Sequence, residues 1–298
     1  MNIAEAVPLG YAMVARVARD AGVRALAIKG PISEYWGFGS GKSSVDIDIL
    51  ISPDDVDFLV RPLNTMGWHV RPSVMVFRVL PPHSLTLRHE LWPCEIDLHF
   101  SLPGVLCSAD RAFEAFWQRR SLVQVAGIPL YAVSAAASAL IAVYNSQRDD
   151  AEVRQEFGKL AEQLAALLTH EVWRDIDLLT AATSSQLSAE PLYLRFERSA
   201  PNEQFAPDAD LVARWRLQSR SRDNLSGVGA MYALKTRPVS AWPRIAWQAV
   251  MIERQELEAR GYPVKAAAGS VAWFRGKRLL RGIRNLRRSL DSATGQDT

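Results

Sequence analysis

Two short runs in which acids alternate with aliphatic residues, VDIDILI at 45–51 and CEIDLHF at 94–100, constrain this 298-residue chain more than any other feature. Alternation with a period of two has a direct geometric meaning. Successive side chains of a β-strand point to opposite faces of a sheet, whereas a helix scatters the same pattern around its axis. Read as strands, the first run puts Asp46 and Asp48 on one face and Val45, Ile47 and Ile49 on the other. The second puts Glu95, Asp97 and His99 on one face, with Ile96, Leu98 and Phe100 opposite. As neighbours in one sheet, the two runs bring Asp46, Asp48 and Asp97 together.

Clustered carboxylates repel one another, and near a core that repulsion is costly unless a cation neutralises it. A hard cation such as Mg²⁺ takes oxygen ligands and keeps substrate phosphates in its shell. The chemistry suggested is metal-assisted phosphoryl or nucleotidyl transfer. A bare Asp-x-Asp triplet proves nothing, because the chain contains four of them. Asp55/Asp57 follow Ser52-Pro53 and read as the acidic first turn of a helix. Asp175/Asp177 lie in a helical pattern that splays residues two apart, and Asp208/Asp210 read as a helix start after a polar loop. Asp46/Asp48 alone combine a β-rich run with a second acidic strand downstream.

The order Ile28-Lys29-Gly30, then Asp46-Ile47-Asp48-Ile49-Leu50-Ile51, then Ile96-Asp97-Leu98-His99 resembles a bacterial group of nucleotidyltransferases in the DNA polymerase β-like superfamily. The resemblance spans about the first 130 residues and, more loosely, the helices after them. It implies an α/β chain with a minimal nucleotidyltransferase fold, a mixed sheet flanked by helices, followed by a mainly helical C-terminal region. It further implies a Mg²⁺-dependent enzyme that moves a nucleoside monophosphate from an NTP such as ATP to an acceptor hydroxyl or phosphate. Asp46 and Asp48 then bind the metals, and Asp97 is the third acid, acting with the second metal on the incoming hydroxyl. Gly30 opens a helix facing the nucleotide phosphates, a place where unpaired backbone N–H groups attract anions. Lys29 either reaches a phosphate or serves as counter-ion to Asp46 or Asp48. His99 holds a substrate phosphate or hydroxyl, or orients Asp97. Two positions depart from the group's pattern: Pro31 replaces a common Ser, and Lys42 stands where relatives often carry Arg. They are the basis of the alternative reading, a nucleotidyltransferase fold that binds nucleotide or a protein or RNA partner without turnover.

Composition sets wider bounds. Nearly half the residues are apolar and the net charge is +3, ordinary for a globular chain with a proper core. No run of about 18 apolar residues indicates a membrane span. The N-terminus lacks the basic leader of a signal peptide, so cytoplasmic residence is expected. Cys94 and Cys107 supply neither a disulfide framework nor zinc spacing, and His69, His83, His89 and His170 read as structural or surface residues. Seven basic residues crowd between Arg275 and Arg288, in a C-terminal stretch (273–290) that reads as a basic amphipathic helix. It docks on its own domain or makes peripheral contact with an anionic membrane or RNA; spread-out nucleic-acid binding is not favoured.

Along the chain, a helix is expected at 7–22, a short strand at 25–29, a short helix at 31–37 and a Gly/Ser loop at 37–44. A helix at 53–66 follows the first acidic strand. Strands are expected at 74–80, 85–90 and 94–100, a helix at 109–120, and a strand pair within LVQVAGIPLYAV. That completes a catalytic domain at 1–133. The rest, 134–298, reads as a helical substrate or partner region, with a loop at 188–207 and helices resuming at 208–222 and 239–260.

Overall fold

The computed structural model describes residues 1–38, 44–71, 82–147, 151–220, 233–234 and 236–250, with single positions at 273, 275, 276 and 280. The expected strand at 74–80, the loop carrying Lys42 and nearly all of the basic C-terminal stretch lie outside the described residues.

The chain divides into two compact units, residues 1–70 with 83–219 and residues 71–82 with 220–298. The first begins with α1 (Ile3–Asp20), four residues earlier than its apolar spacing suggested. Asn2 and Glu5 account for the difference. Each side chain bonds the other's backbone N–H, a capping box that satisfies two amides no helix bond can reach. Then come β1 (Ala25–Ala27), α2 (Gly30–Tyr35), β2 (Asp46–Ile51), a 3₁₀ turn at Pro53–Asp55 leading into α3 (Val56–Thr65), β3 (His69–Val70), β4 (Ser84–Arg88) and β5 (Glu95–His99). After α4 (Ala109–Gln118), β6 (Ser121–Val125) and β7 (Ile128–Ala132) form the expected hairpin. Ala126 and Gly127 both take positive φ, as a two-residue turn matching strand twist requires.

Among the described residues, seven strands make one mixed sheet in the order β3-β4-β5-β2-β1-β7-β6. The two acidic strands sit side by side and parallel, which places the site mid-sheet. Helix α1 covers the face to which Ile47 points. A Cβ on its Gly10 would collide with the Ile47 side-chain tip, so a glycine permits the close approach of helix to sheet.

After β7 the chain turns helical, as the spacing of its apolar residues suggests, with α5 (Ala135–Ser146), α6 (Ala151–Leu167), α7 (His170–Ala182), α8 (Gln186–Arg195) and α9 (Ala209–Arg220). One hydrophobic cluster runs from Ala6 in α1 to Trp215 in α9, so these helices share the core of the sheet. The loop expected at 188–207 is a correction: its first part is α8. Ser188, Ala189, Leu192 and Tyr193 form one buried stripe, and burying it outweighs the backbone bond lost at Pro191. In the second unit, a 3₁₀ turn at Val239–Ala241 enters α10 (Trp242–Val250), with Ile245 buried and Trp242 and Trp247 exposed. Among the described residues, no helix is long and apolar enough to cross a membrane.

Candidate active site

Parallel pairing sets Asp46 opposite Glu95, Asp48 opposite Asp97 and Leu50 opposite His99. Because partners across a sheet share a face, all three acids singled out from sequence converge. Asp48 is buried, while Asp46 and Asp97 are half-buried.

The environments of Asp46 and Asp48 differ in kind. Burial alone would raise the Asp48 pKa, but a hydrogen bond from His99 and the charge of Lys29 more than reverse this, so the carboxyl stays below its ordinary value. Lys29 Nζ is 2.7 Å and His99 Nε2 2.8 Å from the same oxygen, Asp48 Oδ1. Among the described residues, Asp46 has no cationic partner, only a bond from the Glu95 backbone N–H. Burial, then the negative charges of Asp97, Asp48 and Glu95, push its pKa up to about 6. The cluster therefore holds more negative charge than the described residues neutralise.

That excess, and the donor set, fit a divalent cation. Oxygens of Asp48 and Asp97 and a ring nitrogen of His99 all lie within 4.8 Å of one another. Asp97 is anchored through one oxygen as well, since Thr86 Oγ1 donates to its Oδ1 at 2.6 Å. Among the described residues, each of these two carboxylates is held by one oxygen and presents the other. Carboxylate oxygens presented this way suit a hard ion.

Lys29 owes its placement to backbone geometry. It takes φ 55° and ψ −158°, a conformation rarely adopted by a residue with a side chain, and Gly30 follows at φ 40°. A Cβ on Gly30 would meet Ser44 Oγ at 2.9 Å and the Tyr11 hydroxyl at 3.1 Å, so the turn needs glycine. Lys29 thus pairs with Asp48, one of the two counter-ion partners expected. His99 also bonds Asp48 rather than Asp97, a correction to the expected orientation of the third acid. The parallel register places the Asp48 carboxylate against its Nε2, while Thr86 takes Asp97. A small cavity beside Lys29 and His99 is also lined by Leu102, Pro103, Ile141, Tyr144 and Asn145.

Tyr11 and Thr86 touch the acids, and neither stood out from sequence. Thr86 lies in a strand-like run next to the acidic ones, which is a faint signal. Tyr11 sits in an amphipathic helix among other core residues and gives none. Of the remaining histidines, His89 accepts from Leu91 N–H in its own turn and bonds Met66 O at the end of α3, a structural role.

Comparison with known proteins bears on this geometry. Among curated proteins, none matches the chain. Several solved structures resemble it distantly, three of them as follows. The antibiotic-resistance factor ANT(2'')-Ia is 14% identical, covering 66% of this chain and 100% of its own, with a TM-score of 0.39. The lincosamide antibiotic adenylyltransferase LnuA, solved with lincomycin bound, is 15% identical over 59% of this chain and 96% of its own, at 0.31. An antigenic nucleotidyltransferase-like protein from Paracoccidioides brasiliensis is 10% identical over 67% and 94%, at 0.36. A family model described as uncharacterised nucleotidyltransferase matches residues 10–181, more than half the chain. Because that span contains β1 through α6, with the Lys-Gly turn and every acid of the cluster, the chain belongs to this nucleotidyltransferase family.

Proposed function

We propose that this enzyme transfers a nucleoside monophosphate from an NTP to an acceptor hydroxyl or phosphate with Mg²⁺ as cofactor. The observation that carries the reading is the parallel register that puts Asp48 against Asp97, with Asp46 one step along the same face. Asp46, Asp48 and Asp97 are the residues to hold metal, and when bound the ion supplies charge neutralisation at the α-phosphate and alignment of the attacking oxygen. In the transfer, the acceptor oxygen forms a bond to the α-phosphorus as the bond to the pyrophosphate leaving group breaks.

The remaining work belongs to the protein. Thr86 and His99 hold Asp97 and Asp48 by one oxygen each, so these carboxylates need little reorganisation. Lys29, with Gly30 beside it, exchanges its contact with Asp48 for a phosphate once a cation takes up the acid's charge. Lys42 and His99 complete the nucleotide side. The catalytic part is residues 1–133, and 134–298 serves the acceptor or partner. Cytoplasmic residence accompanies this reading, in keeping with NTP as donor and the buried, unpaired thiols of Cys94 and Cys107.

The test is thermal stability with each of the four NTPs, with and without Mg²⁺, for wild type and for Asp46→Asn/Asp48→Asn. A Mg²⁺-dependent rise with a nucleotide, lost in the double variant, is expected and names the donor. Equal melting temperatures across all conditions would refute a nucleotide site at these acids.

A further inference from the structure

The β1–β2 ladder ends in an unusual way directly beneath Asp48. The strands pair antiparallel through Ala25 with Ile51, Leu26 with Leu50 and Ala27 with Ile49. Continuing that register sets Ile28 against Asp48, where two reciprocal backbone bonds are expected. One is present, from Ile28 N to Asp48 O at 3.0 Å. The other is replaced by a side chain. Asp48 N donates to the Tyr11 hydroxyl at 3.0 Å, and that hydroxyl donates to Ile28 O at 2.8 Å.

A direct rung spans about 2.9 Å from nitrogen to oxygen, and an intervening oxygen opens it further. The hydroxyl therefore acts as a wedge between the two strands at the residue whose carboxylate meets Lys29 and His99. Lys29 follows Ile28 at once, turning away from the sheet at φ 55°. Gly30 packs so near that an added Cβ would stand 3.1 Å from the same hydroxyl. Tyr11 is fully buried, and its hydroxyl accepts from one strand while it donates to the other. A phenylalanine would fill the same core space. Only the hydroxyl explains how both buried backbone groups are satisfied while the strands part.

We propose that Tyr11 is a positioning residue of the active site, its hydroxyl wedging Ile28 from Asp48 so that the Asp48 carboxylate and the Lys29–Gly30 turn are held in register for metal and nucleotide. The inference rests on the metal-site reading above. Without the hydroxyl, Asp48 N and Ile28 O either close into a direct rung, drawing the Lys-Gly turn toward the sheet, or remain buried and unpaired. The first shifts Asp48 relative to Asp97, and the second leaves its backbone N–H without the bond that fixes it.

The experiment measures Mn²⁺ affinity, by the paramagnetic resonance of the unbound ion, alongside melting temperature. It uses the full chain as wild type, Tyr11→Phe, Tyr193→Phe and Asp48→Asn. Tyr193 is the control, a buried tyrosine whose hydroxyl bonds Asp177 and Thr180 away from the acids. The expected result is a Mn²⁺ affinity lowered on the order of 10-fold in Tyr11→Phe and unchanged in Tyr193→Phe. Tyr11→Phe that merely melts earlier, with wild-type Mn²⁺ affinity, overturns the proposal. Absence of Mn²⁺ binding in wild type, or binding undiminished in Asp48→Asn, overturns the metal-site reading itself and the positioning role with it. Should Tyr11→Phe not fold, 3-fluorotyrosine at position 11 of the native chain supplies the second reading. Its fluorine resonance should shift on Mg²⁺ addition and stay still in the Asp48→Asn background, and no shift in either counts against the wedge.

Discussion

Two clusters of buried polar side chains lie in the same unit, and they differ in whether they satisfy themselves. Among the helices, Tyr144 of α5, which also lines the cavity beside Lys29 and His99, donates to Ser185 Oγ at 2.7 Å, and Thr183 Oγ1 lies 2.8 Å from that same atom. Thr183 Oγ1 also bonds Leu179 O, and Ser188 Oγ reaches the carbonyls of Gly104 and Ser185. Hydroxyls both donate and accept, so a neutral network can close on itself. It ties α5, α7 and α8 to the segment around Gly104. The acid cluster on β2 and β5 cannot close this way, because ionised carboxylates only accept. Lys29, His99 and Thr86 satisfy one oxygen of Asp48 and one of Asp97, and Asp46 is left with a pKa near 6. A closed network marks a structural seam; an open one, with charge to spare, marks a place for a ligand.

Substitutions that treat the clusters alike should therefore give unlike results. The largest effect is expected at Asp48→Asn, which removes the most buried acid. Transfer activity should fall on the order of 10³-fold with little residual Mn²⁺ binding, read as pyrophosphate release once the donor is known. Activity within tenfold of wild type would mean the open cluster is not the reaction centre. At the closed network, Ser185→Ala leaves the Tyr144 and Thr183 hydroxyls short of a partner. A cost of about 1–3 kcal/mol in urea denaturation is expected, with Mn²⁺ affinity intact. If that variant also lost metal, the seam and the site would be one system.

Gly30→Ala comes next. At φ 40° and with Ser44 and Tyr11 in its way, it should cost about 1–2 kcal/mol and weaken nucleotide-dependent stabilisation. Full stability would show that the turn relaxes easily.

The smallest effect, and the sharpest in sign, concerns Asp46. Its folded pKa of about 6 lies above the unfolded value, so its contribution to stability is fully present below about pH 4 and is lost as pH rises through 6. In EDTA at pH 8, Asp46→Asn should thus be more stable than wild type by about 1 kcal/mol, discounted for the half-exposed position. The advantage should vanish near pH 4, and Mg²⁺ should reverse it at pH 8. A pH-independent difference between the two proteins would contradict excess charge at the cluster.

The clusters also differ in how far they could be read from the chain. Asp46, Asp48 and Asp97 declared themselves through alternation with isoleucine and leucine, and the Lys-Gly turn through Gly30 and Pro31. Ser185 and Thr183 lie in a stretch, TSSQLS, that looks like any polar linker. Only burial against Tyr144 makes it a seam. For the same reason α8 was expected as loop: its buried stripe is interrupted by Pro191 and begins among serines.

The face on which each acid lies, the alternation of the central strands and the helical character of α5 to α7 were determined by the sequence alone. Each is a local property of the backbone, expressed within a few residues. Tertiary structure decided the parallel register that matches Asp48 to Asp97, the choice of Asp48 as partner to both Lys29 and His99, the anchoring of Asp97 by Thr86, and the insertion of Tyr11 into the β1–β2 ladder. Each of these joins segments that are distant along the chain. Which of many such pairings forms depends on how the whole core packs, and no local pattern carries that information.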